Sequence, residues 1–215
     1  MNRRAVGCLF EAAETLVLTL VIFLIIQNFV AQPYKVEQQS MEDTLQPGQY
    51  VLVDKLTPRF DPYKRGDIVV FTPPGGSDSS TIPFIKRVIG LGGDTVDILD
   101  GHVRINGQEL REPYVFPGQT TQPTGGLTHY LVPDGDLFVM GDHRENSSDS
   151  RVFGPIPIST IIGRAWLRYW PIDTFSVLAT PTYPILSPLV PSPGPSTGAA
   201  RTPPRAAAAL PAAAG

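Results

Sequence analysis

Lys86 stands in a short apolar run, Phe84-Ile85-Lys86-Arg87-Val88-Ile89. In a strand, alternate side chains share a face. Phe84, Lys86 and Val88 then point one way and Ile85, Arg87 and Ile89 the other, so each face mixes an apolar pair with one cation. One outcome is that both long side chains snorkel past their neighbours to water. The other is that the lysine is buried. Desolvation disfavours its ammonium, the pKa falls, and a neutral amine becomes available as a base near neutral pH. Such a lysine activates a hydroxyl nucleophile without any histidine.

Ser40 is the candidate hydroxyl, in the polar segment Glu37-Gln38-Gln39-Ser40-Met41-Glu42-Asp43-Thr44-Leu45. By residue type alone, a serine there is most often a turn or cap residue. A third constellation is Gly141-Asp142-His143-Arg144-Glu145-Asn146-Ser147-Ser148-Asp149-Ser150-Arg151. Its bland reading is a solvated loop. Its acidic residues raise calcium, but the Asp/Asn alternation of an EF-hand loop is absent. His143 beside Asp142 raises a Ser-His-Asp arrangement with Ser40, which spacing alone does not decide.

The elements that must position these residues are mostly strands. Apolar and β-branched runs recur at Tyr50–Val53, Ile68–Phe71, Phe84–Ile89, Thr95–Leu99, His102–Ile105, Leu137–Met140 and Ile161–Tyr169. Asp100-Gly101 and Asn106-Gly107 are dipeptides suited to type I′ hairpins. No stretch of this region keeps a 3.6-residue period over three turns. Residues 35–180 therefore read as one mainly β, antiparallel domain. Pro73–Ser80 and Gly118–Gly126 read as surface loops.

Residues 15–34 hold no formal charge, and Leu16–Ile26 is apolar all round. A soluble helix would carry a polar stripe. At about 1.5 Å per residue the segment crosses a hydrocarbon core of about 30 Å. A buried core helix and a cleavable signal peptide are the alternatives. Against the second, Glu11 and Glu14 precede the run, and Phe29-Val30-Ala31 puts a large residue where a cleavage site wants a small one. The reading is an uncleaved, single-pass transmembrane helix. Arg3, Arg4 and the amino terminus precede it and Lys35 follows, which makes residues 1–14 a cytoplasmic flank and the β-domain extracytoplasmic. Cys8 on that flank reads as a reduced, idle thiol.

Composition narrows the partners. Seventeen Lys+Arg against 20 Asp+Glu give a formal net charge of −3 with no basic run, which argues against nucleic acid. The single Cys excludes an internal disulfide framework, and three scattered His leave no zinc-ligand spacing, so neither metal nor other cofactor is expected. The 23 Pro and 20 Gly are too many for a helical bundle. Nine of the prolines fall in residues 181–215 with nine alanines and two charges, Arg201 and Arg205, which reads as a disordered tail.

Taken in order, these segments resemble the successive boxes of bacterial type I signal peptidases. The boxes are the anchor, Ser40-Met41-x-x-Thr44-Leu45, Arg65-Gly66-Asp67-Ile68-Val69-Val70-Phe71, Lys86-Arg87-Val88-Ile89-Gly90 and Gly141-Asp142-x-Arg144-x-Asn146-Ser147-x-Asp149-Ser150-Arg151. The resemblance implies a signal-peptidase-like catalytic domain with a small β insertion at about residues 92–134. It implies a plasma-membrane serine endopeptidase whose partners are signal-peptide-bearing precursors and the lipid bilayer. Ser40 would be the nucleophile and Lys86 the general base. The Ser147 hydroxyl would hold Lys86, and Asp142, Arg87, Asp149 and Arg151 would form buttressing ion pairs. Four positions depart from the family pattern: Asp43 and Gly92 replace usual prolines, and His143 replaces a frequent Asn. Gln38 stands where some relatives place an oxyanion-hole hydroxyl, so the Ser40 amide and the Gln38 side chain are the expected donors. The competing readings are a Ser-His-Asp hydrolase using His143, a self-cleaving Ser–Lys peptidase and a non-enzymatic, membrane-anchored β-adaptor.

Overall fold

Strands rich in Val and Ile bury best when both faces are covered, and two sheets accomplish this here. The computed structural model describes residues 3–25, 27, 30–75 and 82–183. The larger sheet joins β1 (Ala31–Lys35), β2 (Tyr50–Asp54), β11 (Ile161–Trp170), β3 (Ile68–Phe71), β4 (Phe84–Leu91), β9 (Asp136–Met140) and β10 (Ile156–Pro157), in that order. The short β12 (Ser176–Val177) pairs with β11. The smaller sheet runs β7 (Gln108–Glu109), β6 (His102–Ile105), β5 (Thr95–Leu99) and β8 (His129–Leu131). Every pairing between these strands is antiparallel.

Both expected hairpin turns form. Asp100 and Gly101 take φ of 54° and 83°, and Asn106 and Gly107 take 53° and 78°, the left-handed pair that a type I′ turn demands. The short strands escaped the sequence reading because two or three residues carry too little alternation to register. β1 escaped for another reason: all but its last residue fall in the expected membrane span, 15–34. Its Pro33 lacks an N–H, which an edge strand tolerates, and it pairs with Leu52 of β2.

The helix α1 runs from Arg3 to Ile25, beginning earlier than the expected span, 15–34, and ending before it. Leu16, Val17, Leu18, Leu20, Val21, Ile22, Phe23 and Leu24 are all exposed along it. Among the described residues, no helix is long and apolar enough to cross a membrane. The expected disordered tail lies outside the described residues from position 184 onward, as do residues 76–81 of the loop after β3. Residues 181–183, assigned to that tail by composition, are described, and Tyr183 packs on the domain.

Packing fixes the strand that carries Lys86. From Ile85 to Gly90, β4 is buried on both faces. Ile85 joins a cluster with Met41, Leu45, Val51, Val53, Ile68 and Val70. Val88 joins Val69, Phe71, Leu137, Val139 and Ile156. Ile89 packs with Val96, Ile98, Tyr130, Phe138 and Met140, the seam between the two sheets.

Close approach of β11 to β2 depends on Gly163. A Cβ there would meet the Asp54 carbonyl oxygen and stand 2.8 Å from Val53 Cγ1. Backbone leaves nothing to yield, so Gly163→Ala is expected to lower stability by roughly 1–3 kcal/mol. Urea unfolding measures it, and an unchanged midpoint would show that the β2–β11 spacing relaxes freely.

Candidate active site

Three segments bring the candidate residues together. The 3₁₀ turn Gln39–Met41 presents Ser40 while Met41, fully buried, anchors it in the core. β4 presents Lys86, opposite Val69 of β3. The loop leaving β9, residues 141–149, closes over both, because the His143 amide donates to the Ser40 carbonyl at 3.0 Å.

Lys86 Nζ donates to Ser40 Oγ at 2.7 Å and to the Ile85 carbonyl at 3.1 Å. Lys86 is 1 % exposed and Ser40 4 %. Burial drives the lysine down from 10.5 to about 8, and the negative charges of Asp149 and Asp142 hold it from falling further. The Phe84 ring lies 4.9 Å from the amine. Of the two fates open to a lysine in this strand, it has the buried one. About a tenth of such amines are neutral at pH 7, against fewer than about one in a thousand for a free lysine.

Two charge pairs hold the surroundings. Arg87 grips Asp142 in bidentate fashion, Nε to Oδ1 at 2.8 Å and Nη2 to Oδ2 at 2.7 Å, and donates through Nη1 to the Gly66 carbonyl at 2.8 Å. The Thr44 hydroxyl donates to Asp142 Oδ2 at 2.6 Å, tying the end of the Ser40 loop to the same carboxylate. Arg151 grips Asp149 through Nε and Nη2, each at 2.9 Å, and Asp149 also accepts from the Gly141 amide. Burial alone would raise Asp149, but the hydrogen bonds and charge of Arg151, with help from Ser147 and Gly141, hold it below the ordinary carboxylate value.

Ser147 differs from expectation. Its hydroxyl donates to Asp149 Oδ2 at 2.7 Å, and among the described residues no hydrogen bond joins it to Lys86. A hydroxyl has one proton to give, and here it goes to the Asp149 carboxylate two residues away. Ser147 nevertheless stays beside Ser40, since a Cβ on Gly141 would strike both the Ser147 hydroxyl and the Ser40 carbonyl. Gln38 precedes the turn in extended backbone and makes no capping hydrogen bond to it. It lines a cleft with Glu37, Gln39, Ser40, Phe84 and Asn146.

The Ser-His-Asp alternative loses its geometry. His143 Nδ1 faces Glu42 Oε2 at 3.2 Å, and its ring stacks on Phe116 with centroids 4.6 Å apart. Both Asp142 oxygens are taken by Arg87 and Thr44. Sequence reasoning overlooked Arg144, which is almost fully buried and donates to the Gly141 carbonyl at 2.9 Å and to Glu112 at 3.0 and 2.6 Å. Its place inside the Gly141–Arg151 motif was the available signal, but nothing local to Glu112 marks it as a partner. Among the described residues, no group of three or more His, Cys, Asp or Glu could hold a metal ion.

A buried lysine amine set against a serine hydroxyl is an arrangement in which an amine can activate a hydroxyl for attack. Residues 9–170 match the family described as signal peptidase, peptidase S26. The chain is 39% identical over 177 residues to a signal peptidase I of Leptolyngbya laminosa, covering 80% of this chain and 85% of the relative. It is 40% identical over 178 residues to a probable signal peptidase I-1 of Synechocystis sp., covering 80% and 88%. A signal peptidase I crystal structure from Enterococcus faecalis aligns with TM-score 0.37 at 34% identity, over 47% of this chain and 95% of that one. The chain belongs to the signal peptidase family, peptidase S26, and is a peptidase.

The displaced lysine leaves a thermodynamic trace. Its folded pKa, about 8, lies below the ordinary 10.5, so between those values the unfolded chain binds more protons and stability rises with pH. Lys86→Met removes the amine and keeps the length. Its advantage over wild type is expected to shrink by about 3 kcal/mol between about pH 7 and pH 10.5. Urea midpoints of both chains across that range measure the gap, and a gap independent of pH would refute a lowered lysine.

Proposed function

We propose that this chain is a membrane-bound serine endopeptidase that removes N-terminal signal peptides from secreted precursors, with Ser40 as nucleophile and Lys86 as general base. The observation that carries the reading is the 2.7 Å contact between Ser40 Oγ and the buried amine whose pKa is about 8. With Lys86 neutral, its lone pair takes the Ser40 proton as Oγ attacks the scissile carbonyl. The charged amine then protonates the departing amino group, and, neutral again, activates the water that hydrolyses the acyl-enzyme ester. Negative charge developing on the carbonyl oxygen is met by the Ser40 amide and the Gln38 side-chain amide. Arg87, Asp142, Asp149, Arg151 and Ser147 hold the frame and touch no reacting atom.

The precursor lies as an extended strand in the cleft beside Gln38 and Phe84, where alternate side chains are read. The exposed apolar residues of α1, with Arg3 and Arg4 at its start, support a single-pass anchor in the plasma membrane with its amino terminus cytoplasmic. Enzyme and precursor then share one bilayer surface, which raises their effective concentration.

Cleavage of a signal-peptide-bearing precursor by the full chain in detergent tests the assignment. Ser40→Ala is expected to abolish cleavage and Lys86→Ala to lower kcat by about 10²-fold or more. Full activity without the lysine would sink the dyad. In wild type, kcat is expected to climb as pH rises through about 8, because only the neutral amine accepts the proton. A flat profile from mildly acidic to alkaline pH would count against a lysine base.

A further inference from the structure

Past β12 the chain turns back across the base of the site. Thr180 Oγ1 donates to Asp67 Oδ1 at 2.8 Å. Pro181 and Tyr183 lie against Gly66, where an added Cβ would stand 2.8 Å from Pro181 Cδ and 3.1 Å from Tyr183 Cε2. Gly66 carries the carbonyl that accepts from Arg87.

Tyr183 reaches further through its hydroxyl, which donates to that of Tyr114 at 3.1 Å. Tyr114 then branches. Its ring lies 4.0 Å from the Arg87 guanidinium, and its hydroxyl donates to Glu112 Oε1 at 3.2 Å. Burial raises both phenols above their ordinary value, so each keeps its proton; Tyr114 gives its own to Glu112 and accepts from Tyr183. Along the first branch, Arg87 grips Asp142. Along the second, Glu112 grips Arg144, which donates to the Gly141 carbonyl. The branches converge on consecutive residues, immediately before the His143 amide that holds the Ser40 carbonyl.

We propose that residues 180–183 are a strap, and that Tyr183 is a positioning residue for Ser40, acting through Tyr114 on the segment 141–143. The inference rests on Ser40 being the nucleophile. Lys86 is held by β4, deep in the sheet, whereas Ser40 is held by a turn and by this segment. Removing the Tyr183 ring opens the Tyr114–Arg87 face to water, loosens the segment and lets Ser40 Oγ drift from the amine. The cleft residues Gln38 and Phe84 touch neither branch, so substrate binding is spared.

The experiment uses the full chain in detergent, well below the melting temperature of every variant, with a signal-peptide-bearing precursor. Tyr183→Ala is expected to lower kcat on the order of tenfold, since a displacement far from the chemistry misaligns the reacting atoms, with KM within about twofold. Tyr183→Phe keeps the ring against Gly66 and is expected to restore most of kcat. Amide hydrogen exchange supplies a readout that needs no activity: protection of the His143 and Leu45 amides is expected to fall in Tyr183→Ala, while that of β5 and β6 stays. Should the alanine variant not fold, Tyr183→Leu takes its place with the same expectations. Wild-type kcat together with unchanged exchange at residues 141–145 would overturn the strap. Ser40→Ala in the same assay keeps the two readings apart: if it cleaves as wild type does, the nucleophile assignment fails, and exchange alone then judges the strap.

Discussion

The structure depends on keeping one amine dry. A lysine in water is charged at neutral pH, and only a site that withholds solvent makes it a base. That requirement explains why β4 is buried on both faces from Ile85 to Gly90. The core beneath the Ser40 turn serves the same end, with Met41 and Leu45 fully buried. Drying is limited by charge. The carboxylates of Asp142 and Asp149 pull the lysine's pKa back up, so the amine settles at about 8, within reach of physiological pH.

Those carboxylates raise their own difficulty, because each is itself buried and charged. Each is met by an arginine in bidentate geometry with further donors on its remaining lone pairs. Buried pairs of this kind contribute little net stability, since desolvation cancels most of the attraction. Their effect is geometric. Asp142 binds Arg87 of β4 and Thr44 of the Ser40 loop at once, so the strand that carries Lys86 and the loop that carries Ser40 share one carboxylate.

Much of this was legible from residue order. Asp100-Gly101 and Asn106-Gly107 announced their turns because few other dipeptides take two positive φ values cheaply. Ser40 and Lys86 were legible only together, through the ordered motifs, since each alone has a commoner bland role. Two kinds of feature stayed hidden. The partner of a hydroxyl was one: the motif pointed Ser147 at Lys86, but in the fold its proton goes to Asp149. Long-range partnership was the other. Glu112 and Tyr183 sit in unremarkable local sequence, and composition assigned residues 181–183 to a tail because proline content says nothing about what a particular tyrosine packs against.

Lys86 and Arg87 are neighbours on one strand, facing opposite sides of it. If β4 paired one residue out of register, every side chain would change faces and arginine would arrive where lysine belongs. A guanidinium does not surrender its proton at any pH a protein survives. With Lys86 as the proposed base, a misthreaded copy of this chain is an inert one, and proteolytic competence certifies that the sheet has been assembled correctly.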